Sequence, residues 1–288
     1  MGRLFLIKEK IMKKFLIVSF LILVVVSLNC AAHGIKESNE QKDETNAINQ
    51  QGNLWILAIG VNEYPTENQN LFASLNYAVN DAHAFVDIFE NQAGKQYGKV
   101  NTKIISDRSG TLPTKENIIN GFEFLNQAQP EDTVFLFLSG QGLNENGLYY
   151  FMPRYIIFTN DGELIFESAI SMDEIALLMN GVKGNKFIFI DSCGSGAAVY
   201  SDLLRTVLFT ACQKDELSME SFLFNNHGLF THALIEGLSG KAAFNGVVSI
   251  NILSQFVFDK VRELSNGKQN PRIFFPKGFR DIVIMTVE

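Results

Sequence analysis

The strongest chemical signal in this sequence is a cysteine in a turn of small residues. Cys193 lies in the segment DSCGSG (191–196), directly after the strand-like run KFIFI (186–190). A cysteine in such a turn is accessible and surrounded by backbone N–H groups, which a thiolate nucleophile and an oxyanion site both require. The spacing alone leaves a second interpretation open, in which the thiol is packed and inert.

A second segment of the same kind, SGQG (139–142), follows the apolar run 133–138. In sheets built from alternating strands and helices, working residues collect at the carboxyl ends of the strands. We therefore expect Gln141 and Cys193 to lie at the same edge of one sheet. No EF-hand-like spacing occurs, and the sequence assigns neither a metal nor a cofactor.

Strands and helices that would position these residues alternate from residue 53 onward. Continuous apolar runs predict buried strands, and apolar residues at helical spacing predict amphipathic helices. The predicted strands are 54–61, 100–105, 133–138, 186–190, 206–210 and 282–287, with a hairpin from 149–152 and 156–166 whose turn is NDG (160–162). The predicted helices are 74–91, 114–128, 171–179 (opened by a capping box), 228–239 and 250–265. This order predicts an α/β fold with a mostly parallel central sheet and helices on both faces.

Composition excludes several classes of protein. The 288 residues are 47% hydrophobic and 19% charged, which excludes a wholly disordered chain. A net charge of −7 disfavours binding to nucleic acid through phosphate contacts. The first predicted strand ends in GVNEY (60–64), which lacks the later glycines of a dinucleotide fingerprint. An unrelated doubly wound domain for a small ligand therefore has little support.

The N-terminus predicts export. Residues 1–30 contain two lysines followed by the apolar run 15–28, which is typical of a signal peptide and short for a membrane span. Cys30 stands where a bacterial lipoprotein carries its lipid; simple cleavage near Ala32 and a membrane-anchoring helix are the alternatives. The polar residues 31–52 predict a disordered tether. We expect a location in the cell envelope, the periplasm or outside the cell, with membrane contact only through the N-terminal anchor.

In their order and spacing, these segments resemble the caspase-like cysteine peptidases of family C14, especially the bacterial metacaspase type. DSCGSG (191–196) is similar to the nucleophile segment of that family, and SGQG (139–142) to its histidine segment. Further similar segments are AIGVNEY (58–64), NDA (80–82), TAC (210–212), GLFT (228–231) and QNP (269–271). The resemblance covers nearly all of 53–288 and implies that this range is one caspase-like domain.

The sequence departs from the family at its catalytic histidine. That histidine lies roughly 50 residues before the cysteine in caspases, and Gln141 stands at this position here. A glutamine amide does not titrate near neutral pH, so it can neither take the thiol proton nor protonate the leaving amine. We expect a loss of activity on the order of 10³ or more. We expect no catalytic role for the four histidines of the chain, His33, His83, His227 and His232.

The resemblance implies that the rest of the site is intact. The backbone N–H groups of Gly142 and Cys193 would form an oxyanion hole, and Asp81, Ser139 and Asp191 would line a pocket for an Arg or Lys side chain. The alternative is an Asp191 held by strand-end amides and an Asp81 exposed to solvent.

The third cysteine and the function each leave alternatives open. Cys212 is interpreted either as a disulfide partner of Cys193 or, in preference, as a small buried apolar residue. One functional hypothesis is an impaired peptidase homologue that binds peptides or proteins with exposed Arg or Lys. The other is an active cysteine endopeptidase that cleaves after Arg or Lys. Gln141 is the residue that separates the two.

Overall fold

A computed structural model of the chain describes residues 51–64, 73–199 and 203–287. The predicted signal segment 1–30, with Cys30, and nearly all of the tether 31–52 lie outside these residues. Among the described helices, none is both long enough and apolar enough to cross a membrane.

A six-stranded sheet forms the centre of the fold. In chain order the described strands are β1 (Leu54–Gly60), β2 (Val100–Ser106), β3 (Thr133–Ser139), β4 (Gly142–Glu145), β5 (Leu148–Phe151), β6 (Ile170–Ser171), β7 (Asn185–Asp191), β8 (Thr206–Thr210), β9 (Glu220–Ser221), β10 (His227–Gly228), β11 (Val247–Ser249), β12 (Arg272–Phe274) and β13 (Val283–Thr286). The strand order of the central sheet is β12-β8-β7-β3-β1-β2. All of its neighbouring strands run parallel except β12, which is antiparallel to β8.

Helices cover both faces of this sheet. They are α1 (Ala78–Asp87), α2 (Lys115–Leu125), α3 (Met172–Gly181), α4 (Leu229–Glu236) and α5 (Ile250–Leu264). The apolar sides of α1, α4 and α5 pack into one hydrophobic core, and those of α2 and α3 pack into a second core on the opposite face. The prediction of an α/β fold with a mostly parallel sheet and helices on both faces is confirmed.

The central strands are buried on both faces, which explains their continuous apolar sequences. Every residue of β3 is buried, and so is every residue of β7 after its first. On one face, Phe85 of α1 stacks on Phe137 with ring centroids 4.5 Å apart, and it also contacts Phe189. Aromatic pairs of this kind add to the stabilisation from area burial, and they fix α1 against the sheet.

The predicted pairing of 149–152 with 156–166 is wrong, whereas the predicted turn at 160–162 is present. β5 pairs with β4 on one side and with β6 on the other, and 156–166 forms only a bridge between Phe158 and Leu164, which encloses that turn. The turn from β4 to β5 uses Asn146 and Gly147, with φ of 54° and 85°. An Asn-Gly pair with both residues in the left-handed region is the preferred two-residue hairpin turn, so the NG signal decides the pairing.

The C-terminal strand lies outside the central sheet. β13 pairs with β11 in a separate two-stranded sheet, and the edge of the central sheet is β12 instead. With only three residues, the first of them the exposed Arg272, β12 is too short to give a strand signal in the sequence.

Candidate active site

Three strand ends bring the predicted site together. In the sheet register Gly60 of β1 is opposite Ser139 of β3, and Ser139 is opposite Asp191 of β7. Because the strands are parallel, the segments that follow them all leave the sheet at the same edge. Gln141 and Cys193 therefore lie on neighbouring segments, as the sequence predicts.

Helix α1 begins directly above this edge because groups from other segments cap it. Its own N-cap residue, Tyr77, provides no side-chain cap. Instead, the backbone N–H of Val79 donates to the Asn62 side-chain oxygen at 2.9 Å, and the N–H of Tyr77 donates to the Glu220 carboxylate at 3.2 Å. These bonds satisfy N–H groups that a helix start leaves open, and they place Asp81 at the strand ends.

Asp81 is 2% exposed and is held by three polar groups from two segments. Ser139 Oγ donates to its Oδ2 at 3.0 Å, and the backbone N–H of Gly228 donates to its Oδ1 at 3.2 Å. His227 Nδ1 lies 2.9 Å from the same Oδ1. Asp81 is therefore a buried, hydrogen-bonded carboxyl, and the alternative of a solvent-exposed Asp81 is wrong.

Asp191 is 5% exposed and is held mainly by hydroxyl groups. Ser218 Oγ donates to Oδ1 at 2.6 Å, and Thr231 Oγ1 donates to Oδ2 at 2.6 Å. The backbone N–H of Thr231 also donates to Oδ2, at 3.1 Å. Asp191 thus has neutral donors and, among the described residues, no Lys or Arg within ion-pair distance.

Burial and proximity raise the pKa of both carboxyl groups. Burial, opposed by the hydrogen bond from His227 and reinforced by the charge of Asp191, raises the pKa of Asp81 to about 7. Burial also raises the pKa of Asp191; hydroxyl donors oppose this effect and Glu220 adds to it. The surroundings of the two carboxyl groups therefore disfavour their charged forms.

Cys193 is half-buried at the rim of the same cleft. Its Sγ accepts a hydrogen bond from the backbone N–H of Ser218 at 3.4 Å. Burial raises the pKa of the thiol, and the negative charges of Asp191 and Glu220 raise it further. Reactive cysteines lie in electropositive surroundings, so these surroundings favour the protonated thiol.

Gln141 is fixed by its backbone, and its side chain is directed to another segment. Its N–H donates to the Tyr64 hydroxyl at 2.7 Å, and its carbonyl accepts from the N–H of Met152 at 3.0 Å. The side-chain Nε2 donates to the carbonyl of Ala73 at 2.9 Å. No hydrogen bond joins the described atoms of Gln141 and Cys193, so the side-chain amide is bonded to Ala73 and not to the thiol.

Gly142 must be glycine because the cysteine turn packs directly against it. A Cβ at this position would lie 2.6 Å from Ser192 Oγ and 2.7 Å from the Cys193 carbonyl oxygen. Ser192 is in turn fixed by Tyr149, whose hydroxyl lies 2.7 Å from Ser192 Oγ. The predicted oxyanion residues Gly142 and Cys193 are thus in close backbone contact.

The structure brings every predicted site residue of the domain to one cleft, while Cys30 lies outside the described residues. Gly142 packs against the cysteine turn, and the others line the cleft itself: Asp81, Ser139, Gln141, Asp191 and Cys193. Sequence reasoning did not identify the additional groups that hold the two carboxyls and the helix start: Ser218, Glu220, His227, Gly228 and Thr231. The segment 228–231 was recognisable, but its contacts with Asp81 and Asp191 are long-range. Among the described residues no group of His, Cys, Asp and Glu is arranged to hold a metal ion.

Cys212 is a free, buried thiol, and so is not a disulfide partner of Cys193. Its Sγ lies 3.6 Å from Ser195 Oγ and donates to the carbonyl of Glu216 at 3.2 Å. Burial raises its pKa to about 11. The preferred interpretation of Cys212, as a small buried residue, agrees with this environment.

Comparison with known proteins identifies the family. The caspase-domain model of peptidase family C14 matches residues 54–281. A crystal structure of protein GSU0716 from Geobacter sulfurreducens is similar in fold, with a TM-score of 0.51 and 15% identity over 82% of this chain and 100% of that one. No curated protein matches the sequence. The chain therefore belongs to the caspase-domain family of C14 peptidases.

Proposed function

We propose that this protein is a catalytically impaired C14 peptidase homologue, a pseudoenzyme of the bacterial metacaspase type that binds peptide segments with exposed Arg or Lys. The observation that carries the proposal is the pair of buried carboxyls, Asp81 and Asp191, in the cleft that Cys193 lines. Among the described residues neither has a Lys or Arg partner. A buried charge without a counter-charge is costly, and a guanidinium or ammonium group from a ligand would supply one.

Binding requires a local rearrangement of one wall of the cleft. The free volume is about 30 Å³, which is room for a water molecule or two. The segment 218–220 forms that wall, and Ser218 Oγ donates a hydrogen bond to Asp191 Oδ1. A ligand cation would replace this hydroxyl as the donor, exchanging a neutral hydrogen bond for a stronger charge-assisted one.

The environments of Gln141 and Cys193 support impaired hydrolysis. Gln141 holds no titratable proton and donates to the Ala73 carbonyl. The raised pKa of Cys193 leaves little thiolate at neutral pH. Peptide cleavage needs both a thiolate and an acid for the leaving amine, and this pair of residues supplies neither efficiently.

A second candidate function is an active cysteine endopeptidase that cleaves after Arg or Lys. It is favoured by the N–H of Ser218, which donates to Cys193 Sγ and would stabilise a thiolate. This function needs a base other than residue 141, or assistance from the substrate. His227 is bound to Asp81 through Nδ1 and does not line the cleft, which is why we prefer the binding function.

For its location, we propose export through the segment 1–30 and attachment to the cell envelope through Cys30. Mass spectrometry of the N-terminal peptide from the native host tests this proposal. A diacylglyceryl group on Cys30 is expected. An unmodified peptide that begins near Ala32 would instead indicate simple cleavage.

The function is tested with the full chain, an Arg peptide and the same peptide with citrulline in place of Arg. Fluorescence anisotropy is expected to show binding of the Arg peptide, at least tenfold weaker binding of the citrulline peptide, and loss of binding in Asp191→Asn. Asp161→Asn, which removes an exposed carboxyl in a distant turn, is the control. Equal binding of both peptides would overturn the proposal.

Turnover is measured in parallel with fluorogenic Arg and Lys substrates. A silent wild type and an active Gln141→His variant would support the impaired-peptidase function. Wild-type turnover that disappears in Cys193→Ala would establish the second candidate instead.

A further inference from the structure

We propose a second binding site, for a small organic phosphate, in a cavity at the opposite ends of the strands of the central sheet. The cavity lies at the start of β7 and β8, where the strands begin, whereas the carboxyl-lined cleft lies where they end. Its volume is about 480 Å³, within the range of small-molecule sites. This proposal does not depend on the proposed function.

Its charge distinguishes the cavity from the rest of the molecule. The chain as a whole carries a net charge of −7, yet the cavity lining contains four cationic residues and no carboxylate: Lys186, Arg205, Lys277 and Arg280. Among the described residues, none of the four has a carboxylate within ion-pair distance. Cations gathered around one cavity repel each other, so an anion bound among them would be favoured.

Lys186 adds buried positive charge beside the cavity. The residue is 7% exposed, and its Nζ donates one hydrogen bond, to the carbonyl of Met179 at 2.9 Å, on the face of the sheet where α3 packs. Burial lowers its pKa, and the nearby charge of Arg205 lowers it further. An anion bound among the other three cations of the lining would also offset the charge of Lys186.

Arg205 occupies the cavity lining at a conformational cost. Its φ is 52°, in the left-handed region that favours glycine. The N–H of Leu204 donates to the Asn180 side-chain oxygen at 3.0 Å, and Thr206 Oγ1 donates to the Leu204 carbonyl at 3.1 Å, so the turn is fixed on both sides. Strained residues held by their surroundings occur at ligand sites, and a guanidinium suits the forked geometry of phosphate oxygens.

The remaining lining defines the body of the ligand. Phe187, Val207, Pro276, Phe279 and Ile282 give the cavity an apolar side next to its cations. A ligand that satisfies both sides carries a phosphate group on an apolar or aromatic body. Such a phosphate could belong to a free phosphomonoester or to a lipid headgroup, and the experiment includes an arm for each.

The test uses the full chain and phenyl phosphate, with isothermal titration calorimetry for affinity and thermal unfolding for stability. We expect phenyl phosphate to bind and to raise Tm with concentration, as a ligand of the folded state must. Benzyl alcohol, which lacks the charge, is expected not to bind. Vesicles of phosphatidylglycerol form the lipid arm, and binding to these vesicles without binding of phenyl phosphate would overturn the assignment of a small ligand.

Arg205→Gly is the decisive variant because it separates binding from folding. Glycine adopts the left-handed φ without strain, so Tm without ligand is expected to be equal to or higher than that of the wild type. The affinity for phenyl phosphate is expected to fall at least tenfold, and a similar fall is expected for Arg280→Gln. Lys268→Gln removes an exposed charge outside the cavity and should bind like the wild type. Undiminished binding by Arg205→Gly, or no binding by the wild type, would overturn the proposal.

Discussion

His227 Nδ1 lies 2.9 Å from Asp81 Oδ1, so the imidazole is paired with a buried acid of the cleft. The two residues come from β10 and α1, which are far apart in the sequence. The charge of the cleft depends on whether Asp81 is protonated. Since the pKa of Asp81 is raised to about 7, this dependence falls in the physiological range.

The affinity for a basic peptide is expected to increase with pH. Between about pH 6 and about pH 8 Asp81 loses its proton, and the cleft becomes more negative. Anisotropy titrations of the Arg peptide across this range should show rising affinity, and Asp81→Asn should flatten the profile. An affinity that falls as pH rises would contradict the prediction.

Asp81→Asn is expected to stabilise the fold more at about pH 8 than at about pH 5. The pKa of Asp81 is higher in the folded state, at about 7, than its ordinary value of 3.8. The folded state therefore binds more protons between these values, and its free energy of unfolding falls as the pH rises through them. Asparagine resembles the protonated acid, so it avoids this loss. Thermal unfolding at both pH values measures the difference; an equal change in Tm at the two would count against the raised pKa.

Ser218→Ala is expected to strengthen binding of the Arg peptide severalfold. The Ser218 hydroxyl donates to Asp191 Oδ1 at 2.6 Å and contributes to the wall that narrows the cleft. Its removal opens the cleft and leaves a carboxylate oxygen for the ligand. The backbone N–H of Ser218, which donates to Cys193 Sγ, is retained. The matched variant Ser221→Ala, on the same segment, should not change affinity.

Cys193 is expected to react slowly with iodoacetamide at pH 7, because burial and neighbouring acids raise the pKa of its thiol. The rate should increase with pH well above neutrality, and it should increase at pH 7 in Gln141→His, since an imidazolium stabilises a thiolate. Peptide mapping by mass spectrometry assigns the label. Cys212, which is fully buried, should remain unlabelled in the folded protein. Fast labelling of Cys193 at pH 7 would contradict the raised pKa.

The central strands could be predicted because burial on both faces leaves a direct trace in the sequence. The segments 133–138 and 186–190 are apolar except for Thr133 and Lys186 at their starts, and both are buried in the sheet. Helix α3 was predicted from its capping box, and both hydrogen bonds of that box are present. In these elements local sequence and tertiary environment impose the same pattern.

Pairing between distant segments could not be predicted in the same way. The contacts of Asp81 with His227, and of Asp191 with Thr231, depend on how α1 and α4 meet above the sheet. Nothing in the composition of either segment specifies its partner. The wrong hairpin pairing has a different origin, because a local signal, the Asn146-Gly147 turn, determines the neighbour of β5.

The backbone of residue 141 is held by two main-chain hydrogen bonds that do not involve its side chain. The Tyr64 hydroxyl accepts its N–H, and Met152 donates to its carbonyl. These two hydrogen bonds therefore do not depend on the side chain at this position. A single codon change could introduce or remove an imidazole there while the scaffold stays in place, so members of this fold could move between binding and cleavage in one evolutionary step.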